Sequence, residues 1–216
     1  MRVAIVGGHG KVARELITVL VARGDEAIPL VRKQEHVDEL AGPGVEPRLL
    51  DIEAQDADAF AAAFAGAGAV VFAAGAGADG RADRKKTVDL DGALKSIDGA
   101  QRAGVQRFVQ VSAIGVDDPV PGDAGDVWTA YVEAKRDADA ALRESDLAWT
   151  IVRPGGLTDG PATGRVLLGT SVPRGQVSRA DVAGVIAAAL SEPASVGKQW
   201  ELVAGDQTIQ EAVAAG

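Results

Sequence analysis

The 216-residue sequence contains no cysteine, and this absence excludes several classes of protein. Without thiols there is no disulfide framework, no cysteine nucleophile and no cysteine-based zinc site. Basic residues are also few, because 22 Lys and Arg stand against 31 Asp and Glu, for a net charge of −9. An acidic chain gains no counterion-release energy on a phosphate backbone, so we expect no nucleic-acid partner.

Aromatic residues and long apolar runs are scarce as well. Phe, Trp and Tyr make up 4% of the chain, and Tyr131 is its single tyrosine. The uncharged stretch 59–78 has the length of a membrane span, but four glycines interrupt it, so we interpret it as a helix end, a turn, a strand and a loop. The apolar N-terminal run is too short for a signal peptide. We therefore expect a cytoplasmic protein without a membrane partner, and the length predicts a single domain over residues 1–216.

Strand-like and helix-like segments alternate along the chain. Short apolar runs are followed repeatedly by segments with apolar residues at helical spacing, and this alternation predicts βαβ units. The expected fold is α/β, a doubly wound and mostly parallel sheet with helices on both faces, with a small C-terminal substrate-side region. The clearest predicted strands are 3–6, 27–31, 69–74, 107–111 and 148–152, and the clearest predicted helices are 11–23, 84–103, 131–144 and 182–190.

A glycine-rich turn, GGHGKVA at 7–13, joins the first predicted strand to the first helix. This context predicts a dinucleotide site, in which Gly7 permits the tight turn and Gly10 lets the backbone approach a pyrophosphate. The helix N-terminus supplies free N–H groups and a positive partial charge. His9 is either a cofactor contact or a tolerated surface residue. The candidate cofactor contacts in the turn are Gly7, His9, Gly10, Lys11 and Val12.

The end of the second strand indicates which dinucleotide binds. NAD sites usually carry an acidic residue there for the ribose hydroxyls, whereas this sequence has Arg32 and Lys33. The planar guanidinium of Arg32 suits a 2′-phosphate, which favours NADP(H) over NAD(H). The alternative is a solvated strand end. Asp51, with Ile52 after it, ends the third strand, where an adenine amino group would be contacted.

Tyr131 and Lys135 form a Y-x-x-x-K pattern that predicts proton-transfer chemistry. On a helix these residues share one face, and a cationic Lys lowers the pKa of a neighbouring phenol. Tyr131 is then a candidate general acid or base at a carbonyl or alcohol. Ser112 ends the fifth strand, where it is placed to hydrogen-bond a substrate oxygen. The structural alternatives are an aromatic residue packing on a surface helix and an ordinary strand-end serine.

These motifs, GGHGKVA, VSAIG, YVEAK and RPGG, resemble those of the short-chain dehydrogenase/reductase superfamily. The similarity is greatest to its atypical single-domain NAD(P)-binding members, often labelled epimerases or dehydratases. The resemblance implies that Ser112, Tyr131 and Lys135 are catalytic, and it places Asp89 where the family has an Asn. An Asp there would pair with Lys135 and alter the phenol's pKa. The resemblance also implies cofactor contacts at Ala74, Gly75, Ala76, Lys135, Pro154, Gly155 and Gly156.

The activity implied is hydride transfer between NADP(H) and a small carbonyl, quinone or flavin-like acceptor. Two alternatives stay open: a non-catalytic NADP(H)-binding redox sensor, and an NAD(P)-dependent epimerase or dehydratase. We expect a small-molecule substrate, no metal, and a monomer or homodimer. The loop 115–126 is a candidate substrate lid. The cluster Arg81, Arg84, Lys85 and Lys86 is interpreted as a solvated loop, with attraction of an anion as the alternative.

Overall fold

The computed structural model describes residues 1–77 and 81–216. Its strands are β1 (Arg2–Val6), β2 (Glu26–Val31), β3 (Arg48–Leu49), β4 (Ala69–Phe72), β5 (Arg107–Val111), β6 (Ala148–Pro154), β7 (Gly156–Thr158), β8 (Arg165–Gly169), β9 (Gln176–Ser178), β10 (Lys198–Ala204) and β11 (Gln207–Thr208). The helices are α1 (Lys11–Ala22), α2 (Gln34–Leu40), α3 (Ala57–Ala63), α4 (Ala82–Arg84), α5 (Asp91–Arg102), α6 (Asp126–Arg143), α7 (Arg179–Ser191) and α8 (Ile209–Ala215), with a π-helical segment at Lys85–Leu90 and a 3₁₀ turn at Pro193–Ser195.

Within the described part of the chain, nine strands form one sheet in the order β11-β8-β10-β6-β5-β4-β1-β2-β3. The neighbours from β10 through β3 pair in parallel, whereas β8 pairs antiparallel to β10 and β11. A separate parallel pair joins β7 to β9. The predicted doubly wound, mostly parallel sheet is therefore confirmed.

Each central strand is buried on both faces, and alternate side chains enter two different cores. In β1, Val3 and Ile5 belong to the core under α1 and α7, whereas Ala4 and Val6 belong to the core under α3, α5 and α6. The reason is that successive side chains of a strand point to opposite faces of the sheet. A short apolar run thus holds helices on both faces and brings the carboxyl ends of β1, β2, β4 and β5 to one edge.

The structure corrects several predicted boundaries. Helix α6 begins at Asp126, five residues before Tyr131, and so covers part of the predicted loop. The predicted helix 84–103 begins instead with the π-helical segment and continues as α5. The short strands β7, β8, β9 and β11 were not predicted, because runs of two to five residues carry little periodic signal. No helix in the described ranges is long and apolar enough to cross a membrane.

Candidate functional site

Two cavities open at the carboxyl edge of the sheet, one on each side of the glycine-rich turn. We call the first, of about 360 Å³, the β2-side cavity, and the second, of about 770 Å³, the α6-side cavity. They share Gly10, Ala73, Ala74 and Gly75. The β2-side cavity is lined further by Gly7, His9, Leu30, Val31, Arg32, His36, Asp51, Ile52, Ala76 and others; the α6-side cavity by Lys11, Val12, Lys85, Asp89, Ser112, Trp128, Tyr131, Lys135 and others.

The turn between the cavities has the geometry that a dinucleotide diphosphate requires. Gly7 has a φ of 80°, and a Cβ there would lie 2.7 Å from the Cα of Ala74. The N–H of Gly10 donates to the carbonyl of Gly7 at 2.9 Å, which closes the turn. Helix α1 then begins without a side-chain cap, so its first N–H groups are available to an anion.

Arg32 and two histidines line the β2-side cavity. Arg32 is exposed and forms no ion pair within residues 1–77 and 81–216. The rings of His9 and His36 stack on each other, with centroids 3.5 Å apart and planes within 5°. Partial burial and the neighbouring His9 lower the pKa of His36. These side chains suit a phosphate ester, since a guanidinium and two imidazoles supply several N–H donors.

The opposite wall of the β2-side cavity is formed by Asp51 and Ile52. The Oδ1 of Asp51 accepts the N–H groups of Glu53 at 3.0 Å and Ala54 at 3.3 Å, so a local turn fixes the carboxylate. Ile52 packs against Gly92 of α5, where a Cβ would come within 2.5 Å of its side chain. The structure therefore brings both predicted adenine-side residues to the cavity that contains Arg32.

In the α6-side cavity, Lys135 is buried and paired with Asp89. Its ammonium nitrogen lies 3.1 Å from Asp89 Oδ1 and donates to the carbonyls of Val111 at 3.3 Å and Ala74 at 3.4 Å. Asp89 Oδ2 accepts the N–H of Ala76 at 3.0 Å. Burial by itself lowers the pKa of Lys135, but Asp89, together with Tyr131 and Asp139, outweighs burial and raises that pKa. The ammonium therefore stays charged, and Asp89 offsets that charge.

Tyr131 projects into the same cavity from the preceding turn of α6. Its hydroxyl has no hydrogen-bond partner within the described residues, and its ring centroid lies 5.5 Å from that of Trp128. Burial raises the pKa of Tyr131 and exceeds the lowering by Lys135, while Asp89 also raises it. Lys135 does lower the phenol's pKa, as the sequence predicts, but burial of the ring outweighs this effect, so the pKa of Tyr131 lies above its ordinary value.

Ser112 lies on the floor of the α6-side cavity, but its proton is directed away from it. The hydroxyl donates to Asp139 Oδ2 at 2.8 Å, and the same oxygen accepts from Arg153 Nε at 2.8 Å. Gln110 donates to the other carboxylate oxygen at 2.6 Å. Ser112 is thus fixed by a buried polar network and faces the cavity as a hydrogen-bond acceptor.

The structure does not bring Pro154, Gly155 and Gly156 to either cavity. The N–H of Gly155 donates to Leu202 at 2.8 Å, and that of Gly156 donates to Gly175 at 2.9 Å. A Cβ on Gly155 would lie 2.3 Å from the carbonyl oxygen of Gly175, so close backbone packing accounts for this glycine. The neighbouring Leu157 lines the α6-side cavity instead.

Sequence reasoning missed several residues of the α6-side cavity, among them Lys85 and Trp128. Lys85 was interpreted as part of a solvated cluster, yet it is only 5% exposed and faces the cavity from the π-helical segment. Its spacing of four from Asp89 was the available signal. Trp128 lies between the predicted loop and the predicted helix 131–144 and was assigned to neither, but helix α6 includes it. Within the described ranges, no cluster of three or more His, Cys, Asp or Glu could hold a metal ion.

Comparisons with known proteins agree with this geometry. A family model described as NAD(P)H-binding matches residues 7–193. The chain is 36% identical to "Uncharacterized sugar epimerase YhfK" of Bacillus subtilis over 99% of both chains.

Two solved structures extend the similarity to the fold. One is a protein of Bacillus halodurans that is provisionally named as an NAD-dependent epimerase/dehydratase. It is 38% identical to this chain, the match covers 100% of both chains, and the two structures superpose with a TM-score of 0.91. The oxidoreductase ylbE of Lactococcus lactis is 28% identical over 100% of this chain and 96% of its own, with a TM-score of 0.89. The chain therefore belongs to the NAD(P)H-binding family, with the Rossmann fold of the atypical short-chain dehydrogenase/reductase proteins.

Proposed function

We propose that the protein is an NADP(H)-dependent reductase of a small carbonyl, quinone or flavin-like acceptor, with Tyr131 as the proton donor. The observation that carries this proposal is the phenol of Tyr131, which has no hydrogen-bond partner in the described residues and lies in a cavity continuous with the glycine-rich turn. The L. lactis relative, itself named an oxidoreductase, supports the same reaction class.

The β2-side cavity would hold the adenosine end of the cofactor. Gly7, Gly10 and the start of α1 would hold the diphosphate by backbone N–H groups. Arg32, which lines the same cavity as the stacked His9 and His36, would bind the 2′-phosphate and favour NADP(H). Asp51 would accept from the adenine amino group.

When bound, NADPH supplies a hydride to the carbon of the acceptor. Tyr131 donates its proton to the acceptor's oxygen as negative charge develops there, so the carbonyl becomes an alcohol. A raised phenol pKa favours this direction, because the protonated form predominates at neutral pH. Lys135, kept charged by Asp89, stabilises the phenolate that remains until solvent reprotonates it. Ser112 accepts a hydrogen bond from the product hydroxyl.

The proposal is tested by following NADPH and NADH oxidation against a panel of quinones, flavins and aldehydes. We expect wild type to oxidise NADPH faster than NADH. Tyr131→Phe should lose about 100-fold or more in kcat, the usual contribution of a general acid, while it binds NADPH as wild type does. Calorimetric titration measures that binding independently of turnover. If Tyr131→Phe turned over at the wild-type rate, the proton-donor role would be refuted.

A non-catalytic redox sensor is the second candidate, and the Lys135–Asp89 pair is the observation that favours it. The pair offsets the charge that would activate the phenol. The same experiment separates the two functions, because a sensor binds NADPH without oxidising it on any acceptor.

The relatives named as epimerases support a third candidate, in which the hydride returns to the substrate. Net oxidation of NADPH is then absent in every assay of the panel, whereas incubation of a sugar nucleotide with NADP⁺ yields its epimer. Stoichiometric NADPH consumption by wild type with one acceptor would exclude this candidate for that acceptor.

A further inference from the structure

Lys85 is a buried cation of the α6-side cavity that the proposed reaction leaves unused. It lies on the π-helical segment one turn before Asp89, and it is 5% exposed. Its ammonium donates to the carbonyl oxygen of Gly77. Within the described part of the chain it has no carboxylate partner, so two of its three N–H donors are left over.

The other cations around this cavity have acidic partners. Lys135 pairs with Asp89, while Lys11 and Arg179 both pair with Asp159, at 2.7 Å and 2.5 Å. Burying the side chain of a lysine without a counter-charge for its ammonium group is unfavourable. The net charge of −9 also repels anions from the molecule as a whole. A lysine kept in such a position is suited to an anion that arrives with the substrate.

An anion bound at Lys85 would lie close to Tyr131. Its ammonium nitrogen lies 5.9 Å from the centroid of the Tyr131 ring. The walls beyond are apolar, with Val127, Trp128 and Leu157 facing the same cavity. A ligand that places an anionic group at Lys85 and a reducible oxygen at Tyr131 would therefore have a small apolar body in contact with these walls.

We infer that Lys85 binds a substrate carboxylate, so that the preferred acceptors are aromatic or similarly apolar carbonyl compounds that carry a carboxylate across the ring from the reducible group. This inference rests on the proposed function, whose acceptor it narrows to an acidic one. Lys85 takes no part in proton transfer; it positions the substrate and determines specificity.

The test compares 4-formylbenzoate with 4-formylbenzamide, which share their shape but differ in charge. The variants are Lys85→Met, which removes the charge at similar volume; Lys85→Arg, which keeps it; and Lys86→Met, the exposed neighbour on the same segment. In wild type we expect kcat/KM to favour the carboxylate by about 30-fold or more, the usual effect of a buried charge pair. Lys85→Met should lose the preference for the carboxylate, while its kcat/KM for the amide stays within about threefold of the wild-type value. Lys85→Arg should keep part of the preference, and Lys86→Met should keep all of it.

A preference that survives Lys85→Met would overturn the inference, as would equal loss of activity on both aldehydes, which would indicate a role on Tyr131 itself. If wild type reduces neither aldehyde, the reductase proposal fails for this acceptor class, and the anion site is tested without turnover. Calorimetry on NADP⁺-saturated protein then compares benzoate with benzamide. The anion site is supported if wild type and Lys86→Met bind benzoate but a folded Lys85→Met does not. It is refuted if wild type binds benzoate no better than benzamide.

Discussion

The two cavities differ in how they are built. The β2-side cavity is formed mainly by backbone and by the ends of strands that follow each other closely, with its charged groups on an open rim. The α6-side cavity takes its polar groups from distant parts of the chain, among them Asp89, Ser112 and Lys135, and these are buried. The charged groups of the first cavity are in contact with water, whereas those of the second must be balanced within the protein.

The difference separates two tasks. In the proposed function, exposed groups such as Arg32 contribute affinity and selectivity for the cofactor, and we expect folding not to depend on them. In the same proposal, buried groups such as Asp89 and Lys135 govern proton transfer, and removing one partner leaves an uncompensated charge. Substitutions in the two cavities should therefore have effects of different kind and size.

The largest expected effect follows from the substitution Asp89→Asn. It leaves the buried ammonium of Lys135 without a carboxylate, which destabilises proteins by about 3–5 kcal/mol. Urea unfolding measures this change, and Asp91→Asn is the control because its partly exposed side chain has no ion pair in the described residues. A loss below about 1 kcal/mol for Asp89→Asn would show that Lys135 does not depend on Asp89.

The next effect follows from the substitution Gly7→Ala, which tests the turn shared by both cavities. The added Cβ meets Ala74 at a positive φ, so we expect a loss of about 2–4 kcal/mol in the free energy of unfolding and weaker NADPH binding. Gly24→Ala is the matched control: its φ of 82° is similar, but nothing lies within 4 Å of the added Cβ. Equal losses for the two variants would show that contact with Ala74 is unimportant.

A smaller effect follows from Arg32→Ala in the β2-side cavity. We expect NADPH affinity to fall about tenfold, with NADH affinity and stability unchanged, since one charge-assisted contact contributes about 1.5 kcal/mol. Lys33→Ala provides the control, because this neighbouring cation pairs with Glu35 at 2.7 Å and does not line the cavity. Calorimetric titration of both cofactors measures the change. If NADH affinity fell equally, Arg32 would not be binding the 2′-phosphate.

The smallest effect concerns pH. A general acid must be protonated before it can donate. The kcat for reduction is therefore maximal below the pKa of Tyr131 and falls as the pH rises through that pKa. Because burial raises that pKa from its ordinary value of 10.0, we expect kcat at saturating substrates to fall to half its neutral-pH value only above pH 10. A decline beginning near neutral pH would mean that the phenol ionises there, contrary to the balance of charges around it.

How much was predictable from the sequence also differs between the cavities. The turn at Gly7 and Gly10, and the strand ends at Arg32 and Asp51, were located correctly because they depend on residues close together in the chain. The burial of Lys85 depends on the π-helical segment packing against α6, which no local pattern specifies. Gly155 looked like a cofactor contact, but it meets Gly175 through long-range packing. The pKa of Tyr131 likewise reflects burial, which the spacing to Lys135 does not reveal.

The central claim is that the β2-side cavity sets cofactor affinity and the α6-side cavity sets turnover. One set of measurements tests it most directly: NADPH Kd and kcat for Arg32→Ala, Tyr131→Phe and the double variant. We predict that Arg32→Ala raises the Kd for NADPH without changing kcat. Tyr131→Phe should lower kcat without changing that Kd, and the double variant should show both changes independently. If Tyr131→Phe weakened NADPH binding as much as Arg32→Ala and left kcat intact, the division between the two cavities would be contradicted.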